Sequence, residues 1–163
     1  MIERIAICPG TYDPVTNGHL DIITRCAALF DRVIVGVVGN SIRKSKPLFD
    51  AEERTGFIES AVADYDNVEV KVFSMLVVQF AQEHNATAIV KGLRAISDFE
   101  YEFEMNQLNH SLAPELESLY LMASAEYSFL SSTGIKEMAT FGGDVTPLVP
   151  ADVAAALSER FAG

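Results

Sequence analysis

Three short stretches of the chain carry residues able to hold a multiply charged anion. The first is Pro9-Gly10-Thr11-Tyr12-Asp13-Pro14-Val15-Thr16-Asn17-Gly18-His19, a Gly/Pro-rich loop between the apolar run Ile5-Ala6-Ile7-Cys8 and an amphipathic run beginning at Leu20. A loop that opens a helix presents unpaired backbone N–H groups and the positive end of the helix dipole, which suits phosphate. His19 falls in the first turn of that helix, where an imidazole can face the same anion. The second stretch, Lys91-Gly92-Leu93-Arg94, follows an apolar run. Gly92 lets the backbone approach a ligand closely, while Lys91 and Arg94 offer a point charge and a bidentate fork for phosphate oxygens. The third, Ser128-Phe129-Leu130-Ser131-Ser132-Thr133, sets hydroxyls at another helix start. Each has a plainer reading: a polar turn capped by Asn17, a solvated basic turn, and N-capping by Ser131 or Ser132.

Familiar alternatives are absent. The chain has neither a GxxxxGK(S/T) phosphate loop nor a GxGxxG dinucleotide fingerprint. Its three histidines, His19, His84 and His110, are not spaced as metal ligands, and no Cys/His cluster exists. His84 and His110 read as polar residues near helix C-termini. Glu102 and Asn109, seven residues apart, share one face of a helix. Alone, they are also compatible with ordinary helix-surface chemistry.

The bulk properties narrow the partners. The 163-residue length fits a single domain spanning 1–163. A chain of this size buries roughly 70% of its unfolded surface, enough for a core. A net charge of −11 argues against a nucleic-acid partner, which needs a basic footprint. It leaves room for a small anionic substrate, which needs only local positive charge. That charge stands at Arg43, Lys44 and Lys46, then at Lys91 and Arg94. Ile2-Glu3-Arg4 leads into a strand-like run, so no secretory leader is expected, and no apolar stretch approaches the roughly 20 residues of a membrane span. Cys8 and Cys26 fall on apolar elements and read as core thiols in a reducing cytoplasm.

Strand-like and helix-like runs alternate. Arg4–Cys8, Arg32–Val38, Val68–Phe73, Ala86–Lys91 and Ser118–Met122 read as strands. Leu20–Phe30, Asp50 to about Ala63, Leu76–His84, Ser97 to about Leu112, Ser131–Phe141 and Ala151–Phe161 read as helices. Asp50 with Glu53, and Ser97 with Glu100, have capping-box spacing. The nearly all-apolar Arg32–Val38 fits a sheet covered on both faces. The alternation implies an α/β fold: a doubly wound, five-stranded parallel sheet with helices on both faces. Ligands in such sheets bind beyond the strand carboxyl ends at the switch point of strand order. The unusual polar residues fall there, in segments 9–19, 40–48, 74–77, 91–98 and 123–133.

Thr16-Asn17-Gly18-His19 resembles the T/HxGH signature of the nucleotidyltransferase superfamily, whose fold is Rossmann-like. Taken with Cys8 to Pro14, Lys46-Pro47-Leu48-Phe49, Glu52-Glu53-Arg54, Lys91 to Arg94, Asp98-Phe99-Glu100-Tyr101-Glu102, Pro114 to Glu117, Tyr127 to Ser132, Lys136-Glu137 and Gly143-Asp144-Val145, the likeness narrows. Over nearly the whole chain, the sequence resembles the phosphopantetheine adenylyltransferase family of coenzyme A synthesis.

The resemblance implies reversible transfer of the adenylyl group of ATP to 4′-phosphopantetheine, giving dephospho-coenzyme A and pyrophosphate. By position, Thr11 would contact both substrates, and His19 would bind the triphosphate and stabilise the transition state. Tyr12, Gly92, Leu93, Arg94, Glu102 and the segment Tyr127, Ser128, Phe129, Leu130, Ser131, Ser132, Thr133 would hold ATP. Leu76, Val77, Lys91 and Asn109 would line the pantetheine side. Lys91 stands where the family often has Arg, which keeps the charge and loses the fork. The loop Asn40 to Pro47 is one residue longer than the common form, so its working lysine is Lys44 or Lys46, with Arg43 also within the count; Lys44 is preferred. The implied catalytic set is His19, Lys44 and Arg94.

Because the nucleophile is already a phosphate anion, no strong general base is required. The chain must align two anions and neutralise charge on the α-phosphate and the leaving pyrophosphate. Mg²⁺ would accompany the triphosphate, and no residue is assigned as its ligand. The resemblance further implies a cytoplasmic homohexamer built as two trimers, with coenzyme A as a feedback ligand and neither nucleic acid nor membrane as partner. Other superfamily members, acting on nicotinate mononucleotide or glycerol 3-phosphate, are the nearest rivals, and a non-catalytic nucleotide-binding regulator is a rival of another class.

Overall fold

Apolar side chains alternate along the central strands, and the two sets face opposite sides. In the computed structural model, which describes residues 2–39 and 46–162, Ala6, Cys8, Val33, Val35, Val37, Ala88 and Val90 enter one buried cluster. Ile5, Ile7, Ile34, Phe73 and Ile89 enter the other. A sheet covered on both faces follows from this pattern. Its strands are β1 (Ile5–Gly10), β2 (Arg32–Val38), β3 (Val68–Phe73), β4 (Ala88–Leu93) and β5 (Glu117–Met122). All pairings are parallel and the order is β3-β2-β1-β4-β5.

The helices are α1 (Asn17–Leu29), α2 (Ala51–Ala61), α3 (Val77–Glu83), α4 (Ile96–Leu112), α5 (Ser132–Thr140) and α6 (Ala151–Phe161). Ile23 and Cys26 of α1, Ile58 of α2, Ile135 of α5 and Val153 and Leu157 of α6 cover the first face. Val78, Phe80 and Ala81 of α3 and Ala113 after α4 cover the second. Each fully buried Val, Ile or Leu contributes about 1.5–3 kcal/mol relative to exposure. Against α3, the Phe73 and Phe80 rings stack at 4.5 Å. A Cβ at Gly36 would stand 3.0 Å from both rings, so glycine is what lets them lie on the sheet there.

The chain winds outward from β1 to β3, then crosses to β4 and β5, so the switch point lies between β1 and β4. Pairing across that seam is confined to Ala6 with Ala88 and Ile7 with Ile89. Beyond these, β1 and β4 part at their carboxyl ends while each stays paired to its outer neighbour as far as Gly10 and Leu93. The gap is where a ligand fits such a sheet.

Several boundaries differ from the sequence expectation for physical reasons. Strand β4 runs to Leu93, since pairing with β5 continues to Met122, and so Lys91-Gly92-Leu93 belong to the strand. Helix α1 starts at Asn17, because Thr16 is the N-cap and His19 closes a capping box with it; Asn17 is the first helical residue and not the cap. At α4 the expected Ser97–Glu100 box does not form. Asp98 instead turns back to accept from the Arg94 backbone and guanidinium, and the helix begins at Ile96. A short 3-10 turn, Ala125–Tyr127, was not legible from the sequence.

Candidate active site

A cleft of about 850 Å³ opens at the parting of β1 and β4, within the range of small-molecule sites. The β1–α1 loop, the end of β4, the start of α4 and the segment leading into α5 form its walls. The three sequence stretches therefore converge.

From the first stretch, Thr11, Tyr12 and His19 line the cleft. Tyr12 adopts a left-handed φ of 50°, uncommon outside glycine. Its ring is buried, its hydroxyl donates to the Cys8 carbonyl at 2.9 Å, and its edge meets the His19 ring at 5.0 Å between centroids. Burial pushes the Tyr12 phenol well up, so it stays a donor. The His19 ring is held by the helix start itself: the Thr16 N–H donates to Nδ1 at 3.0 Å. A backbone amide can only donate, so Nδ1 carries the lone pair and the imidazole proton sits on Nε2.

From the second stretch, Lys91, Gly92 and Arg94 line the cleft, whereas Leu93 is buried and outside its walls. A Cβ at Gly92 would meet Ile22 Cγ1 at 2.8 Å, so this glycine permits close packing of α1 on β4 as well as ligand approach. Arg94 donates to both Asp98 oxygens and, at 2.6 Å, to the Leu130 carbonyl. That last bond ties the second stretch to the third. Burial pushes the Asp98 carboxyl up, but its bonds from Arg94 outweigh this and hold it below the usual range. Lys91 pairs with Glu102 at 2.9 Å. Asn106, Asn109, Ser118 and Tyr120 surround that pair in a water-sized crevice of about 10 Å³.

From the third stretch, Leu130, Ser131, Ser132 and Thr133 line the cleft, together with Tyr127 just before it. Ser131 caps α5 by accepting from the Gly134 N–H at 3.0 Å, and Ser132 Oγ donates to the Pro14 carbonyl at 2.8 Å. The cleft's walls include neither Ser128, whose hydroxyl is turned to the Ala125 carbonyl, nor Phe129, which is 69% exposed. Leu76, the N-cap of α3, and Val77 also stand outside the walls. Lys44 and Arg43 lie outside the described residues, while Lys46 is exposed beside cleft-lining Pro47.

A charged frame stands behind these residues, and its long-range pairings were not legible in the sequence. Asp13 accepts from the Leu48 and Phe49 N–H groups and from Lys136 of α5 at 2.9 Å. Burial raises the Asp13 carboxyl, but Lys136 and the two amides outweigh it and leave it below its ordinary value. Asp21 accepts from Arg25 and from the Ser124 hydroxyl, while Arg25 reaches the Met122 carbonyl, fastening α1 to the loop after β5. The Cys8 thiol, hydrogen-bonded to Cys26 and buried, is pushed well up, which disfavours a nucleophilic thiolate at the cleft wall. Among the described residues no group of three His, Cys, Asp or Glu could hold a metal ion.

A doubly wound parallel sheet with a cationic, hydroxyl-lined cleft at its switch point defines the class, and a family model described as cytidylyltransferase-like matches residues 7–138. Curated relatives named phosphopantetheine adenylyltransferase include one from Alkaliphilus oremlandii, 51% identical over 97% of this chain and 99% of its own. Another, from Rubrobacter xylanophilus, is 54% identical over 90% of this chain and 88% of its own. The chain belongs to the phosphopantetheine adenylyltransferase family. A solved Vibrio parahaemolyticus protein proposed to be a nicotinate-nucleotide adenylyltransferase shares the fold, with a TM-score of 0.69 at 17% identity over 99% of this chain and 93% of its own.

Proposed function

We propose that this enzyme transfers the adenylyl group of ATP to 4′-phosphopantetheine, releasing pyrophosphate and dephospho-coenzyme A. The observation that carries the reading is the convergence of His19, Arg94 and the Ser131–Thr133 hydroxyls on one cleft, in a chain half identical to relatives of that name. A phosphate oxygen of phosphopantetheine attacks the α-phosphorus of ATP, a new P–O bond forms, and the bond to the β-phosphate breaks. The acceptor is already an anion, so no proton need be abstracted.

The chain's contribution is alignment and charge neutralisation. His19 donates from Nε2 to the triphosphate, Arg94 and the α5 hydroxyls bind its oxygens, and Thr11 bridges the two substrates. Glu102 and the segment 127–133 hold the nucleotide, while Lys91, Asn109, Leu76, Val77 and a lysine of the 43–46 segment, Lys44 in our reading, face the acceptor. Mg²⁺, in this reading, arrives bound to the triphosphate, as is usual for this ion. The described residues do not themselves form a three-carboxylate or histidine cage for it.

We further infer a cytoplasmic homohexamer subject to feedback by coenzyme A. A multimer is supported by α4, which buries none of its side chains yet exposes Ile96, Phe99, Phe103, Leu108 and Leu112. None of the described helices is long and apolar enough to cross a membrane.

Pyrophosphate release from ATP is the test, run with and without 4′-phosphopantetheine. Release that requires phosphopantetheine supports the reading. Release with nicotinate mononucleotide or glycerol 3-phosphate in its place would overturn the acceptor, and tight ATP binding without release would overturn the reaction.

A further inference from the structure

Arg54 of α2 is among the largest fully buried side chains, at 1% exposed. Its Nε donates to the carbonyls of Phe49 at 3.0 Å and Asp50 at 3.2 Å. Its Nη1 donates to the carbonyls of Thr11 at 2.7 Å and Val38 at 2.8 Å. Burying a guanidinium against main-chain carbonyls carries a desolvation cost that an apolar side chain of similar volume would avoid. Packing alone does not account for it, so the geometry at one of those carbonyls is the better explanation. Val38 ends β2, and Phe49 and Asp50 lead into α2. Thr11 alone of the four lines the cleft.

The Thr11–Tyr12 peptide is trans, so its carbonyl and N–H point in opposite directions. Arg54 takes no part in the cleft wall, whereas Gly10, Thr11 and Tyr12 do. With the Thr11 carbonyl drawn into Arg54, the Tyr12 N–H is turned the other way. Tyr12 sits at φ 50°, a conformation that surrounding structure must impose. Its buried ring and its hydroxyl bond to Cys8 hold one end of the residue, and Arg54 holds the peptide at the other.

We propose that Arg54 is a positioning residue for the transfer reaction: by fixing the Thr11 carbonyl it aims the Tyr12 N–H at the phosphates of the bound nucleotide. This rests on the adenylyl-transfer reading above. Lysine keeps the charge at this position but lacks the planar fork that reaches carbonyls from three segments.

The test compares Arg54→Lys with Asn67→Ala. Asn67 is a structural anchor outside the cleft wall, donating to the Ala27 and Phe30 carbonyls at 2.9 and 3.2 Å. Arg54→Lys is expected to raise KM for ATP and lower kcat, with kcat/KM falling on the order of 10- to 100-fold. Asn67→Ala is expected to lower Tm with both constants unmoved. A folded Arg54→Lys protein with wild-type kcat and KM would overturn the proposal. Independently of any variant, inorganic pyrophosphate titrated into ¹⁵N-labelled wild-type protein is expected to shift the Tyr12 amide resonance. A resonance that stays in place at saturation would overturn it too. A Tyr12 shift in a wild-type enzyme that never releases pyrophosphate would refute the transfer reading while supporting the aimed amide.

Discussion

The backbone N–H of Thr16 donates to Nδ1 of His19, and the Thr16 hydroxyl accepts the His19 backbone N–H at 3.3 Å. A capping box normally places a Glu or Gln at this third position. Here an imidazole closes it, so the device that starts α1 also fixes the tautomer presented to the cleft.

That tautomer predicts how replacements of the ring rank in a pyrophosphate-release assay. His19→Ala is expected to cost on the order of 10²–10³ in turnover. His19→Gln, which can still place a donor near Nε2, is expected to lose less than His19→Asn.

The Asp13–Lys136 pair governs acid stability. Its carboxyl is held below the usual value in the fold. The stabilisation is therefore fully present above the unfolded carboxyl value of about 3.9 and is lost as pH falls through the lower folded one. Asp13→Asn is expected to cost about 2–4 kcal/mol at neutral pH by leaving Lys136 unpaired. The gap between the variant and the parent in thermal melts should narrow as pH falls below the unfolded carboxyl value of about 3.9. A gap that stays constant as the pH falls further would show that charge is not what Asp13 supplies.

Close packing at Gly92 predicts a compensable defect. Gly92→Ala is expected to lower stability by about 1–3 kcal/mol through overpacking against Ile22. Ile22→Ala in the same chain should recover part of that loss, and a double-mutant cycle on Tm reads the coupling. Strict additivity would mean that the added methyl is accommodated elsewhere.

Lys91 and Glu102 are assigned to different substrates yet form one ion pair. Lys91→Met is expected to raise KM for phosphopantetheine about tenfold or more, the scale of one charge-assisted hydrogen bond. KM for ATP should change much less, and Lys91→Arg should restore most of the loss. Equal rises in both constants would show that the pair acts as a unit.

Much of this architecture was legible in the chain. The strands Arg32–Val38 and Val68–Phe73 and the helix Ala151–Phe161 match the sequence reading to the residue. Each is a run of uniform pattern with turn residues at its flanks. Boundaries shifted where a partner from elsewhere decided them. Pairing with Met122 extended β4, and with Asp98 turned back onto Arg94 the helix begins at Ile96, ahead of the expected Ser97–Glu100 box. Arg54 was illegible for the same reason. It entered only within the motif Glu52-Glu53-Arg54, and its partners Thr11 and Val38 arrive from 43 and 16 residues away. Leu76 and Val77 were named through resemblance alone, and the cleft's walls include neither.

Helix α4 leaves every side chain at least partly open to water, yet Glu102 rides on it and Asp98 in its first turn grips Arg94. The nucleotide cleft thus takes part of its wall from an element that the rest of the chain only half covers. In the multimer proposed above, mass action would enter the kinetics: an assay run at high dilution would sample a looser α4 than one run at high enzyme concentration. Turnover per chain would then depend on how crowded the enzyme is with itself.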